Sequence, residues 1–178
     1  MSRQRQWAVV TGVVTTAIFA TVLIIRLRPQ MALLGVGSKA PAFTAVDLRS
    51  GRPATLENYR GKPILLNIWA TWCAPCRVEM PALERLSKKF AGTDFRVVAV
   101  SVDQDDSTVV DAFVKELGLS FDILHNQAGD IRQRYQTTGV PESFVIDRDG
   151  RIIKKVIGPA EWDGPVNETL VRRLIDER

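Results

Sequence analysis

Residues Trp7–Ile25 carry no charge over 19 consecutive positions, and this run constrains the chain more than any other feature. A helix crossing a bilayer core needs ~20 apolar residues, with a workable range of roughly 17–25. Arg3 and Arg5 precede the run, and Arg26 and Arg28 follow it. A core helix of a soluble domain would not be bracketed by arginines in this way. A cleaved signal sequence has a shorter apolar stretch, about 7–15 residues, ending in a small-x-small site. Here Ile24, Ile25 and Arg26 follow without an Ala-x-Ala pattern. The sequence therefore predicts an uncleaved membrane anchor over 1–28, a linker over 29–38 and a folded domain over 39–178. No cysteine lies near the N-terminus to carry a lipid. Arg3, Arg5 and the amino group before the helix nearly balance Arg26, Arg28 and Lys39 after it. Charge alone leaves the orientation open.

The domain is of ordinary globular composition, with 46% hydrophobic and 25% charged residues in the whole chain. From Arg26 onward 22 basic residues face 20 acidic ones. That balance is too even, and too scattered, for a nucleic-acid surface. The chain has only two cysteines and one histidine, His125, which excludes a four-cysteine zinc site or a disulfide scaffold.

Apolar patterning predicts an α/β domain. Residues 42–56 alternate around Gly51 and read as a hairpin. Residues 64–70, ILLNIWA, form an unbroken apolar run that fits a buried strand, as do residues 95–103. Met80, Leu83, Leu86 and Phe90 form the apolar stripe of a helix beginning after Cys73, with Arg77, Glu84, Arg85, Lys88 and Lys89 opposite. A second helix carries Val109, Val110, Phe113, Val114 and Leu117 at helical spacing. A short strand over 121–124, a short helix over 129–135, strands at 143–146 and 151–157, and a terminal helix marked by Val166, Leu170, Leu174 and Ile175 complete the order. Strands alternating with helices imply a sheet covered on both faces. Trp69 reads as core. His125 reads as a loop cap after its strand, and Asp103–Asp106 as a solvated loop with a helix N-cap at Ser107.

Cys73-Ala74-Pro75-Cys76 falls where a buried strand gives way to a helix. Two cysteines this close can form a small disulfide ring. Free N–H groups and the dipole at a helix N-terminus stabilise a thiolate, so Cys73 reads as the nucleophile and Cys76, further in, as its resolving partner. Pro75 suits a first turn because no donor is required there. Glu79 falls on the border of the apolar stripe, three residues past Cys76. A half-buried carboxyl there has a raised proton affinity and can exchange a proton with a thiol. Periodicity fits an ordinary glutamate of the first turns equally well.

Leu66–Cys76, with Glu79 and Pro81 after it, resembles the active-site segment of the membrane-anchored thioredoxin-like TlpA/ResA/CcmG (DsbE) group. Residues 139–147, GVPESFVID, resemble that group's second motif. The resemblance covers roughly residues 36–175 and implies a thioredoxin-like fold, a central mixed sheet with helices on both faces, an N-terminal hairpin and an extra βα unit within 95–120. It implies that Pro141 is a cis-proline beside the disulfide. Glu142 matches an acidic residue near the site, acting as acid/base or client contact, and Glu79 matches an active-site glutamate. Trp72, Ala74 and Pro75 form the rim that partners touch. Asn67 stands where ordinary thioredoxins have a buried Asp, so a proton acceptor must come from Glu79 or Glu142.

The resulting expectation is an extracytoplasmic thiol-disulfide oxidoreductase held in the cytoplasmic membrane by residues 7–25. Its only redox group is the Cys73–Cys76 pair, with no cofactor or metal. The resemblance implies reduction of client disulfides such as those of apocytochrome c, with re-reduction by a membrane partner of DsbD/CcdA type. A copper-site assembly reductase or metal carrier is the alternative, although a carrier of this fold needs a nearby histidine. A peroxiredoxin-like peroxidase fits less well, because Ala70 occupies the position three before Cys73 where such enzymes usually have Thr.

Overall fold

The computed structural model describes residues 3–31 and 33–177, which fall into two compact units divided after Leu33. The first is a single helix, α1 (Arg3–Met31). Its stretch Arg3–Arg26 is long and apolar enough to cross a membrane, and none of that stretch is buried against protein. Its threonines are satisfied within the helix. Thr11, Thr16 and Thr21 donate to the carbonyls of Trp7, Gly12 and Ala17, each at 2.8 Å. A hydroxyl paired with its own backbone is compatible with hydrocarbon surroundings, where an unpaired one is costly. The helix continues through residues 29–31, which the sequence assigns to a linker. The rest of that stretch is not free chain either. Gly37 donates to the Ile152 carbonyl at 2.8 Å, and Ile152 donates back to Ser38 at 2.9 Å.

The second unit, from Leu34 onward, is built on one seven-stranded sheet. Its strands are β1 (Thr44–Asp47), β2 (Pro53–Thr55), β3 (Ile64–Trp69), β4 (Arg96–Ser101), β5 (Asp122–His125), β6 (Glu142–Ile146) and β7 (Ile152–Ile157), in the order β2-β1-β5-β4-β3-β6-β7. β3, β4 and β5 are parallel, and β1, β2, β6 and β7 pair antiparallel with their neighbours. Every residue of β3 is buried, which explains its near-continuous apolar run, interrupted only by Asn67. The helices are α2 (Ala74–Lys89), α3 (Ser107–Leu117), α4 (Asp130–Arg134) and α5 (Pro165–Asp176). This is the thioredoxin-like mixed sheet with an N-terminal hairpin and an added β4–α3 unit.

Several positions differ from the pattern-based reading, and the buried polar ones each have a polar partner behind them. Glu84 is buried, not on a solvated face. It accepts from Ser120 N at 2.8 Å and Ser120 Oγ at 2.6 Å, and Lys88 Nζ lies 3.0 Å away. Burial alone would raise its pKa; the Ser120 bonds and Lys88 outweigh that and hold it below the ordinary value. Asp103 is likewise buried. Asp106, not Ser107, caps α3, accepting from Thr108 N at 2.9 Å. That helix ends at Gly118, whose φ of 62° is the left-handed cap conformation glycine adopts freely. His125 lies within β5 and is buried, with Nε2 2.8 Å from the Asp103 carbonyl. Val109 and Val166 are exposed, whereas Val110, Phe113, Val171 and Leu174 supply the buried faces of their helices.

Truncating Glu84 strands the Ser120 donors. Glu84→Ala should destabilise the domain by about 1–3 kcal/mol. Glu116→Ala, which removes an exposed pair with Arg77, should stay within about 0.5 kcal/mol. Urea unfolding of the detergent-solubilised chain, followed by tryptophan fluorescence, distinguishes the two.

Candidate functional site

Cys73 is the residue at which β3's loop becomes α2. Its backbone is extended, with φ −86° and ψ 103°, and its sulfur accepts the Cys76 N–H at 3.1 Å, so the sulfur itself is the helix N-cap. The cysteines are joined in a disulfide with Cα atoms 5.2 Å apart. Pro75 sits in the first turn, as expected. Trp72, Ala74 and Pro75 are exposed around the pair, and Trp72 has 66% of its surface accessible.

The loop that delivers Cys73 is pinned from below. Asp103 accepts from Thr71 N at 3.0 Å, Thr71 Oγ1 at 2.6 Å and Ser101 Oγ at 2.5 Å. A fully buried carboxylate with three donors is stable where a solvated one was expected. Sequence reading missed this group. The signal lay in the alternation of Ser101 and Asp103 at the end of an otherwise apolar strand.

The loop before β6 closes the other side. The Val140–Pro141 peptide is cis, as expected from the resemblance, and the Val140 carbonyl oxygen lies 3.5 Å from Cys73 Sγ. That carbonyl and the α2 N-terminus act on the same sulfur with opposite signs: the helix end favours a thiolate, the carbonyl opposes it.

Two carboxyl groups lie in this region, both buried. Glu142 opens β6 opposite Ile68 of β3. It accepts from Thr138 N at 3.1 Å, and Lys155 Nζ lies 2.8 Å from its Oε1. Glu79, only 2% exposed, faces β3 from α2. It accepts from Asn67 Nδ2 at 2.7 Å through Oε1, and from Ala160 N at 3.2 Å and Trp162 Nε1 at 3.4 Å through Oε2. All three donors are neutral. Burial pushes its pKa up to about 7, although Asn67, Ala160 and Trp162 pull the other way. Glu79 also lines a surface groove of about 610 Å³ between α2 and residues 159–164. The partners Trp162, Ala160 and Lys155 could not be found from spacing, because each is far along the chain. His125, the histidine a metal carrier would need, is held by Asp103. Among the described residues no group of three His, Cys, Asp or Glu side chains is placed to hold a metal ion.

Comparison with known proteins agrees with this geometry. The AhpC/TSA family model matches residues 36–155. The thiol-disulfide oxidoreductase ResA of Bacillus thuringiensis subsp. konkukian is 36% identical over 123 residues, covering 69% of this chain and 70% of that protein. Among solved structures, a thiol:disulfide interchange protein from Bacteroides sp. superposes with a TM-score of 0.70 at 26% identity, over 82% of this chain and 93% of that one. StoA from Bacillus subtilis superposes with a TM-score of 0.61 at 26% identity, over 75% and 96%. A disulfide capping a helix beside a cis-proline, on this sheet and with these relatives, places the chain in the AhpC/TSA family as a thiol-disulfide oxidoreductase of the ResA type.

Proposed function

We propose that the protein is a membrane-anchored reductase of extracytoplasmic client disulfides, with apocytochrome c as its client class before haem attachment. The observation that carries the chemistry is the Cys73–Cys76 disulfide at the head of α2, with a buried, neutral-partnered carboxyl one turn further along. The compartment follows from the reaction, since clients with disulfides to reduce occur outside the cytoplasm. α1 supplies the anchor, held by lipid along residues 7–25.

The cycle starts from the dithiol. The Cys73 thiolate attacks one sulfur of the client disulfide, forming a Cys73–client bond and expelling the other client sulfur as a thiolate that takes up a proton. Cys76 loses its proton to the Glu79 carboxylate and attacks Cys73 Sγ. The Cys73–Cys76 bond forms, and the second client sulfur leaves and is protonated. The client gains two electrons and two protons and the protein is left oxidised. A membrane dithiol of DsbD/CcdA type returns both. Trp72, Ala74 and Pro75 form the exposed rim at which a client docks, while Pro141 follows the Val140 carbonyl that meets Cys73 Sγ and Glu142 opens β6 behind it. The Ala-Pro dipeptide supplies no cation to Cys73, and the Val140 carbonyl opposes charge there. Both favour a reducing pair, with a potential nearer thioredoxin's than DsbA's, roughly −270 rather than −120 mV.

Cys76→Ser should freeze the mixed disulfide on Cys73. Diagonal electrophoresis of trapped complexes from membranes should release apocytochrome c on reduction. Its absence among trapped species would remove the client assignment and leave the chemistry. A measured potential near the DsbA value would overturn the reductive direction. Rapid peroxide consumption dependent on Cys73 would favour a peroxidase instead.

Glu79 gives a second test. Its carboxyl binds a proton more tightly folded than unfolded, so its contribution favours folding at low pH. That contribution is fully present below the unfolded value of about 4.3 and lost as pH rises through about 7. At about 1.4 kcal/mol per pH unit the loss is on the order of 3 kcal/mol. Glu79→Gln should therefore gain stability relative to the unaltered oxidised chain between pH 5 and 8, read as a pH-dependent gap between urea midpoints. A gap that does not change with pH would exclude a proton held at Glu79.

A further inference from the structure

Asn67 sits in the middle of β3 and is wholly buried. Its Nδ2 donates to Glu79 Oε1 at 2.7 Å and to Ser143 Oγ at 2.9 Å. Its Oδ1 is also buried and has no hydrogen-bond partner among the described residues. The side chain therefore places all its hydrogen bonding on one side and none on the other.

This arrangement suits one protonation state of Glu79 only. A carboxylate accepts and cannot donate; a neutral carboxyl carries one O–H that must find an acceptor. Oε2 faces two donors, Ala160 N and Trp162 Nε1, so a proton there would oppose an N–H. The proton belongs on Oε1, where it meets Asn67. With Nδ2 in place that too is a donor against a donor. A half-turn of the carboxamide removes the conflict, because it exchanges oxygen and nitrogen at almost unchanged shape. Oδ1 then accepts from the Glu79 O–H. Ser143 adapts, since a hydroxyl accepts from Nδ2 in one orientation and donates to Oδ1 in the other. Among the described residues nothing is hydrogen-bonded to the far side of the amide. One atom remains unpaired in each orientation, the oxygen in one and the amide nitrogen in the other.

We propose that Asn67 is a positioning residue whose carboxamide turns over as Glu79 gains or loses its proton, keeping the buried carboxyl hydrogen-bonded in both states. This rests on the reading of Glu79 as the proton acceptor for Cys76. It also gives Asn67 a use that an aspartate at this place could not serve, since a second ionised carboxylate would repel the first. Other charged groups around Glu79 are already engaged or face solvent. Arg85 on α2 is paired with Asp163 at 2.5 Å, Glu142 of β6 lies 2.8 Å from Lys155, Lys154 of β7 lies over the Trp162 ring, and Glu161 is exposed. None is hydrogen-bonded to Glu79 among the described residues.

The test uses the full oxidised chain in detergent micelles, where the cysteines do not titrate, with 13C- and 15N-labelled Asn and Glu. The Glu79 Cδ resonance should titrate near neutrality. The Asn67 Nδ2 protons should move from a bonded to an unbonded position on acidification with the same midpoint, and Glu79→Gln should abolish that response. Asn67→Leu removes one bond from each state and should move the Glu79 midpoint by less than ~0.5 pH unit. An amide that only ever donates stabilises the carboxylate alone, and its loss would raise the midpoint by ~1 pH unit or more. If Glu79 titrates while the Asn67 signals stay fixed, the amide turnover is overturned and the Glu79 reading stands. If Glu79 does not titrate between pH 5 and 9, both fall. The measurement on the unaltered chain decides the matter even if Asn67→Leu does not fold.

Discussion

A strand buried along its whole length leaves a polar side chain only its neighbours as partners, and β3 carries one. Asn67 ties β3 to α2 through Glu79 and to β6 through Ser143. The same strand runs out into the loop that Asp103 pins and that ends at Cys73. Sheet, loop and helix are thus held by buried hydrogen bonds converging on the residues behind the disulfide. The apolar core supplies bulk stabilisation, but the core alone does not decide where the sulfur sits. That is set by Thr71 on one side and by the Val140–Pro141 turn on the other.

Much of this was legible in the sequence, and the reason is periodicity. A mostly apolar run reads as a strand covered on both faces, and β3, interrupted only by Asn67, and the middle of β4 are such strands. A stripe of Met80, Leu83, Leu86 and Phe90 must face a core, and all four are buried. Cys73 and Cys76 declared themselves because two cysteines three apart at a strand-to-helix junction have few other uses. The cis peptide before Pro141 was legible only through a family motif, since no local rule selects it.

What stayed hidden was polar burial. Glu84, Asp103 and His125 read as surface or loop residues because a single sequence gives each its intrinsic preference for water. Each is buried because its partner arrives from elsewhere in the chain. Ser120 reaches Glu84 across 36 residues and Thr71 reaches Asp103 across 32. Such pairings carry no periodic signature. The helix boundary at Met31 was missed for a related reason: Pro29 reads as a stop, yet the helix runs past it.

The two buried carboxyls near the disulfide show how partners decide roles. Glu142 has an ammonium group 2.8 Å from Oε1 and accepts from Thr138 N through Oε2. Glu79 has three neutral donors and, among the described residues, no counter-ion, so its charge is tolerated but not fixed. A group that is to take a proton from a buried thiol and give it up again must sit close to that balance, because a carboxylate stabilised by a cation would be too weak a base. Placement on the helix capped by Cys73 puts Glu79 one turn beyond Cys76, the position that the proposed proton transfer requires. Glu142 belongs to β6 and borders the site from the cis-proline side. Its ion pair with Lys155 and the bond it accepts from Thr138 N tie that loop to β7.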